Sequence, residues 1–418
     1  MIKIKEKRDC SGCTACANIC PQNCIMMEFD EEGFKYPKVD IELCTNCDLC
    51  KKVCPITGTT LIGTDQCTVY AGQNINADIR RESTSGGIFS AIADYVLLNK
   101  GVVFAAGYDS RMHVVHKAAY CCEELKDLRM SKYVQSDLNN TFNEIADTLL
   151  NKNKIVFFTG TPCQTAGLIN YISFKGKKLQ EISKEKLITA DLICYGVPSP
   201  GLYDRWISAI EIKYKSKIKS IYFRDKKYGY AGTHIKILLS NGKKVEDNLD
   251  VKSFTKTMFS KIGLRPSCYD CIFRDKSKLC DFTFGDLWNV DKVDKSMDDN
   301  TGVTLLQVHS EKGMTILEKL ISKGSIKAVK MFSLEPQELR KNREKERIVL
   351  KKKIPEGRKD FFKDYAEGME YFSLINKHLP ATLKDRVACV GKPFINKLPG
   401  SNKFFILVKK LKVRNSAK

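Results

Sequence analysis

Cys10, Cys13, Cys16 and Cys20 stand directly before Pro21, and Cys44, Cys47, Cys50 and Cys54 directly before Pro55. The run Cys-x2-Cys-x2-Cys-x3-Cys-Pro thus occurs twice, at a constant offset of 34 residues. Two-residue gaps wrap a backbone round a cube of iron and sulfide and turn its amides toward the sulfides, where hydrogen bonds tune the potential. Proline after the fourth cysteine turns the chain and removes a donor. In paired runs of this kind the fourth cysteine serves the other cluster. One 4Fe-4S cluster then takes Cys10, Cys13, Cys16 and Cys54, and a second takes Cys44, Cys47, Cys50 and Cys20. Zinc, the competing metal, favours two separated Cys-x2-Cys pairs over complete four-cysteine runs. The repeat makes residues 1–62 a two-cluster ferredoxin domain, two copies of one unit about a pseudo-two-fold axis. Cys24, in the apolar stretch CIMMEF, is surplus to the eight ligands and reads as a small buried hydrophobe.

Further along, four features carry groups suited to a cofactor. Arg81-x-Ser83-Thr84-Ser85-Gly86-Gly87 precedes a helix, where exposed amides and the helix dipole favour a dinucleotide phosphate; the plainer reading is an N-cap. Ser131-Lys132-Tyr133-Val134-Gln135-Ser136 offers a cation, a stackable ring and an amide, or else an ordinary surface strand. Gly160-Thr161-Pro162-Cys163-Gln164 lies at a strand-to-helix turn, where open α/β sheets place ligand groups. The fourth feature joins Asp191-Leu192-Ile193-Cys194-Tyr195-Gly196 to Pro266-Ser267-Cys268-Tyr269-Asp270-Cys271 and Gly285-Asp286-Leu287-Trp288; Cys268 and Cys271 have metal-ligand spacing. His113 and His116 read as solvent-facing residues on a strand, Trp288 as a core residue, and Cys67, Cys121, Cys122 and Cys389 match no metal spacing. No Ser-His-Asp set or carboxylate pair is apparent, which argues against hydrolytic chemistry.

These groups need a scaffold of two or three domains, which 418 residues supply. A composition 43% apolar and 28% charged is that of a globular protein, and no apolar run approaches the ~18 residues of a membrane span. The start, MIKIKEKRDCSGC, has no apolar leader, so the expected location is cytoplasmic, where cysteines hold metal rather than disulfides. After the linker-like ITGTTLIGTDQ, helical and apolar strand patterns alternate through residues 63–330, an α/β core, with Asn241-Gly242 marking a hairpin turn. Residues 331–418 form a basic, mostly helical extension, expected to be exposed. The net charge of +21 is partly offset by bound anionic cofactors. Of the remainder, 11 Lys or Arg against one acidic residue, Asp385, lie between Tyr371 and Lys418. The tail segment KFFILVKKLKV suits peripheral contact with an anionic membrane better than a nucleic-acid groove, and no specific nucleic acid is expected.

Together these strings resemble the coenzyme F420 hydrogenase/dehydrogenase beta-subunit family. The resemblance runs from about Thr64 to Trp288, includes Phe223-Arg224-Asp225-Lys226, and has the ferredoxin module in front as in many members. It implies an α/β (α+β) multidomain fold: a two-cluster ferredoxin fold, then an α/β flavin-binding domain, then the basic helical appendage. It implies a bound FAD that exchanges a hydride with a small organic substrate or a deazaflavin, and single electrons with the clusters. Ser85, Gly86, Gly87, Ser131, Lys132, Tyr133, Gln135 and Ser136 would line the FAD site with Thr161 and Pro162 of the turn, and Lys132 or Arg224 would supply the cation that stabilises reduced flavin. Cys163, Cys194, Cys268 and Cys271 would hold a third 4Fe-4S cluster, with Cys280 as a competing fourth ligand. Tyr195 stands where the family commonly has His, and Asn289 where it has Gly. Ferredoxin or another redox protein is the implied electron donor or acceptor. The alternative is an electron-transfer subunit without its own substrate site, serving a partner enzyme, for which surface-polysaccharide metabolism is one setting.

Overall fold

The computed structural model describes residues 1–58, 63, 67–230, 234–274, 278–288, 290–331, 354–383 and 385. Most of the linker stretch, Asn289, Cys389 and the basic tail beyond Asp385 lie outside the described residues.

The 34-residue repeat is visible in the backbone. Gly12 and Asn46, and likewise Thr14 and Asp48, all take positive φ (69°, 53°, 56° and 60°), so each run turns the same way before its short helix. Those helices are α1 (Ala15–Ile19) and α2 (Leu49–Lys52). Between them β1 (Ile25–Phe29) and β2 (Lys35–Val39) form an antiparallel hairpin.

Eight further strands form one mixed sheet, ordered β13-β3-β12-β11-β7-β6-β4-β5. These are β3 (Thr68–Asn74), β4 (Val102–Tyr108), β5 (Val114–Ala119), β6 (Val156–Thr159), β7 (Leu187–Leu192), β11 (Phe282–Asp286), β12 (Thr304–Val308) and β13 (Ile326–Lys330). The centre, β4, β6, β7 and β11, is parallel, and antiparallel strands flank it on both sides. Parallel strands must be covered on both faces, and the near-continuous burial of VVFAAGY, VFFT and LITADL shows that they are. The first helices after β3 are α3 (Ala77–Arg81), α4 (Ile88–Leu98), α5 (Leu125–Leu128) and α6 (Thr141–Leu150). They are followed by α7 (Pro162–Lys175) and α8 (Lys177–Lys186). Ile88, Ile92 and Val96 of α4 share one core with Phe157, Ile188 and Phe282. On the other side Phe142 of α6 and Leu168 and Tyr171 of α7 share a core with Ala15 and Ile19 of α1, so the ferredoxin module is part of the layer that covers the sheet.

A second, smaller lobe carries the antiparallel strands β8 (Ile218–Asp225), β9 (His234–Leu239) and β10 (Lys244–Glu246). Gly242, at φ +83°, makes the β9–β10 turn expected at Asn241-Gly242. Against this lobe pack α9 (Pro200–Tyr214) and α10 (Leu249–Phe259); the short α11 (Pro266–Tyr269) and then α12 (Glu311–Ser322) follow in the chain. The last described helices, α13 (Arg358–Ala366) and α14 (Tyr371–His378), correct the expectation of an exposed appendage. Phe361, Phe362, Leu374 and Ile375 are buried with Trp206, Phe254 and the hairpin residue Phe34. Arg358 donates two hydrogen bonds to the Glu32 carboxylate, at 2.9 and 2.6 Å. The charged residues between these apolar positions hid an amphipathic stripe. No helix among the described residues is long and apolar enough to cross a membrane.

Candidate functional site

The two cysteine runs interleave. Burial, and then the nearby sulfurs of Cys13, Cys10 and Cys54, pushes the Cys16 thiol well above its ordinary value, so Cys54 of the second run stands with the first. Cys20 of the first run rings a small cavity with Cys44, Cys47 and Cys50, and Ile2 N donates to Cys50 Sγ at 3.1 Å. Cys24 is buried beside this set, its sulfur 3.4 Å from that of Cys20. The hydroxyls of Ser11 and Thr14 are buried without a hydrogen-bond partner among the described residues. Next to a cluster, inorganic sulfide is the acceptor such orphaned donors need. Among the described residues no three His, Cys, Asp or Glu side chains close around a single ion. Complete four-cysteine runs of this kind suit cubes better than mononuclear zinc.

A third cysteine cavity is assembled from three separate parts of the chain. Cys163 comes from the first turn of α7, Cys194 from the loop after β7, and Cys268 and Cys271 from α11 and its end; all four line one cavity. The turn at α7 follows from Pro162 at its first position and a capping box between Thr161 and Gln164. Burial pushes the Cys163 and Cys268 thiols up to about 11 and about 12, so a bound metal group is needed to keep them as thiolates near neutrality. Ser11 Oγ and Arg274 Nη1, both unpartnered among the described residues, belong to residues lining this cavity, and Thr161 Oγ1 lies 3.1 Å from Cys163 Sγ. These donors fit an anionic group held by the four sulfurs. Cys280 is elsewhere: its thiol donates to Phe282 O at 3.1 Å, in the core near Asp191 and Thr283.

Adjoining this set is a cavity of about 1230 Å³. It exceeds the ~300–1,000 Å³ of drug-sized ligand pockets and so admits a dinucleotide. Ser85, Gly87, Ser131, Lys132, Tyr133, Ser136, Thr161 and Arg224 line it. Thr84 joins the two polar stretches: its hydroxyl oxygen accepts from Ser131 N at 2.8 Å. Three expected residues are placed differently. Gly86 sits behind the wall, its N–H bonded to Thr304 Oγ1 at 3.0 Å, and a Cβ there would lie 2.3 Å from Gly72 O. Gln135 turns away and donates to Ser11 O at 2.8 Å, tying this loop to the ferredoxin module. Pro162 lines the cysteine cavity.

The two candidate cations differ. Lys132 Nζ is buried and donates to Asp127 O (2.9 Å) and Arg129 O (2.7 Å), and burial pulls it down to about 7. For Arg224 burial is the largest influence and opposes the charge, but Asp286, Tyr133 and Tyr230 together outweigh it and raise its pKa, with Nη1 3.0 Å from Asp286 Oδ2 and 3.3 Å from Tyr133 OH. Its guanidinium also lies 5.4 Å from the centre of the Trp288 ring.

Two side chains were misjudged from sequence. His116 is buried, not solvent-facing: an offset of three puts it on the opposite side from His113. Its Nε2 donates to Thr159 O (2.9 Å), so Nδ1 accepts from the Ser136 hydroxyl (2.9 Å). Gln164 Nε2 donates in turn to Ser136 O, which fixes this wall of the cavity. Burial pulls His116 down to about 4, so it is neutral at pH 7. Trp288, expected in the core, is 37% exposed at the cavity, stacked on Tyr230 with centroids 4.5 Å apart. Tyr195 also stands on the cavity wall.

Comparison with known proteins gives two family matches. Residues 153–333 match the model for the C terminus of the coenzyme F420 hydrogenase/dehydrogenase beta subunit, and residues 9–57 match the 4Fe-4S dicluster domain. An uncharacterized ferredoxin of Methanocaldococcus jannaschii is 38% identical over 52 residues, 12% of this chain and 66% of that protein's length. Among solved structures, a chain from the F420-reducing NiFe hydrogenase complex of Methanosarcina barkeri aligns at 17% identity with a TM-score of 0.48, covering 70% of this chain and 92% of that one.

Proposed function

The chain is an iron-sulfur electron-transfer protein of the coenzyme F420 hydrogenase beta-subunit type with a dicluster domain in front, and on that premise we propose that it is a flavoprotein oxidoreductase acting on a small organic substrate or a deazaflavin. The observation that carries this reading is Cys194, which stands on the wall of both the third cysteine cavity and the large cavity. A flavin bound in the large cavity would supply the exchange between two-electron hydride chemistry and single electrons.

The protein's own residues prepare that cavity in three ways. The backbone at Gly87, where α4 starts, and the Ser131 hydroxyl on the same cavity wall are suited to phosphate oxygens. Arg224, buried and kept charged by Asp286, is the cation available to a negative charge on the flavin, whereas Lys132 is committed to two backbone carbonyls. Neutral His116 holds Ser136 in place without adding charge. At the other end Cys47 is exposed, the natural entry for electrons from ferredoxin or another redox protein. Phe259 and Tyr195, 59% and 39% exposed on the cavity wall, favour one variant reading, in which a partner enzyme closes the cavity and brings the substrate.

The test is stopped-flow reduction of the reconstituted chain by reduced ferredoxin. Flavin bleaching that follows cluster bleaching, and that Cys194→Ser abolishes while flavin stays bound, is expected. Flavin reduction at an unchanged rate in Cys194→Ser would reject this reading.

A further inference from the structure

Arg265 is 1% exposed and belongs to both cysteine assemblies. Its backbone serves the third set: Arg265 precedes α11, its N–H donates to Val197 O, and its carbonyl accepts from Cys268 N, each at 2.9 Å. Its side chain serves the first. Nε donates to Cys10 O at 2.8 Å, and Nη2 donates to Lys35 O at 2.8 Å and faces Cys10 Sγ at 3.6 Å. The guanidinium lies 4.5 Å from the centre of the Tyr36 ring. Gly12 is pressed against it: at φ +69° a Cβ there would come within 2.9 Å of Nη1.

A buried cation is costly unless anions compensate it. Among the described residues the side-chain hydrogen bonds of Arg265 go to two carbonyls and a cysteine sulfur, none to a carboxylate. Its charge is felt by Cys10, Cys163 and Cys268. The compensating charge is therefore that of the metal-bound thiolates on either side. A positive charge and a hydrogen bond to a ligand sulfur favour the reduced, more negative state of a cluster and raise its potential.

We propose that Arg265 is a positioning residue that makes the cluster held by Cys10, Cys13, Cys16 and Cys54 easier to reduce than the one held by Cys20, Cys44, Cys47 and Cys50, so that electrons entering at Cys47 run inward toward Cys163. This rests on the iron-sulfur reading of the two runs, not on the identity of the substrate.

The experiment is a potentiometric titration, followed by electron paramagnetic resonance, of the anaerobically reconstituted full chain as wild type, Arg265→Gln and Arg265→Lys, after iron and sulfide have been counted in each. At wild-type iron content, Arg265→Gln shifts the midpoint of the cluster held by Cys10, Cys13, Cys16 and Cys54 to a more negative potential and leaves that of the cluster held by Cys20, Cys44, Cys47 and Cys50 in place. Arg265→Lys, which keeps the charge but loses the fork to Cys10, shifts the same midpoint less. Unmoved midpoints, or equal shifts of the two ferredoxin clusters, would reduce Arg265 to a tether and overturn the proposal. If Arg265→Gln fails to assemble, Arg265→Lys decides by the same criterion, and loss of iron from it too would mark a tether. A wild-type chain without iron would overturn the reading beneath the proposal, and that is seen before any titration.

Discussion

Gly167 on α7 lies so close to Cys13 that a Cβ in its place would stand 3.1 Å from the Cys13 sulfur and 3.5 Å from Ala15 Cβ. At this contact the ferredoxin module meets the sheet-covering layer, and Cys13 and Cys163 are near enough to affect one another. Overpacking here costs about 1–3 kcal/mol. Gly167→Val is expected to lower the thermal midpoint and to slow electron passage from the ferredoxin clusters, whereas Gly167→Ala needs a shift of only a few tenths of an ångström and keeps most of both. Circular-dichroism melts with a parallel stopped-flow trace check this, and a valine variant as stable and as fast as wild type would contradict it.

Cys194 and Cys280 make opposite predictions. Cys194→Ser should lose about four irons per chain, one cluster's worth. Cys280→Ser should keep the full count, because its sulfur bonds Phe282 O and lines no cysteine cavity. Iron and sulfide assays on the two variants decide between them, and the reverse pattern would restore Cys280 as a ligand.

Removing Arg224 alone leaves Asp286 without its cation in the cavity wall. Breaking a buried pair typically costs about 3–5 kcal/mol. With Asp286 22% and Arg224 9% exposed at the side chain, the lower end applies. Arg224→Met should therefore be destabilised and poor in flavin at unchanged iron, and Arg224→Met with Asp286→Leu should recover stability but not flavin. Denaturant melts and flavin extraction report both, and a double variant that regains flavin would show that the cation is dispensable.

His116 gives the fold an acid limit. Its pKa is about 4 when folded and 6.5 otherwise, so between these values the unfolded chain binds more protons and stability rises with pH. The contribution is fully present above pH 6.5 and is lost as pH falls toward 4, amounting to roughly 3 kcal/mol. His116→Gln should flatten that part of the profile, measured by denaturant midpoints at several pH values spaced about one unit apart across that window. An equally steep profile in the variant would assign the acid limit to other groups.

The dicluster domain was legible because a strict spacing is repeated at one offset, and residues 9–57 match that family. The third set was less so: Cys163, Cys194, Cys268 and Cys271 meet only after β7, α7 and α11 are brought together in space, and sequence had no means of setting Cys280 aside. Gln135 and Ser136 show a different limit. They are adjacent, so their side chains leave on opposite sides, one toward Ser11 and one toward the cavity, and reading the whole string as cofactor-lining merged two jobs. The core role of α13 and α14 was hidden because their apolar stripe is narrow and embedded in charge.

The most direct measurement of the central claim is the content of iron, acid-labile sulfide, zinc and extractable flavin in an anaerobic preparation of the full chain. Three cysteine sets around cubes predict about twelve irons and a matching amount of sulfide per chain, with about one flavin and no zinc. About eight irons with zinc would reassign the Cys163 set, and irons without flavin after careful reconstitution would contradict the oxidoreductase account and leave an electron carrier.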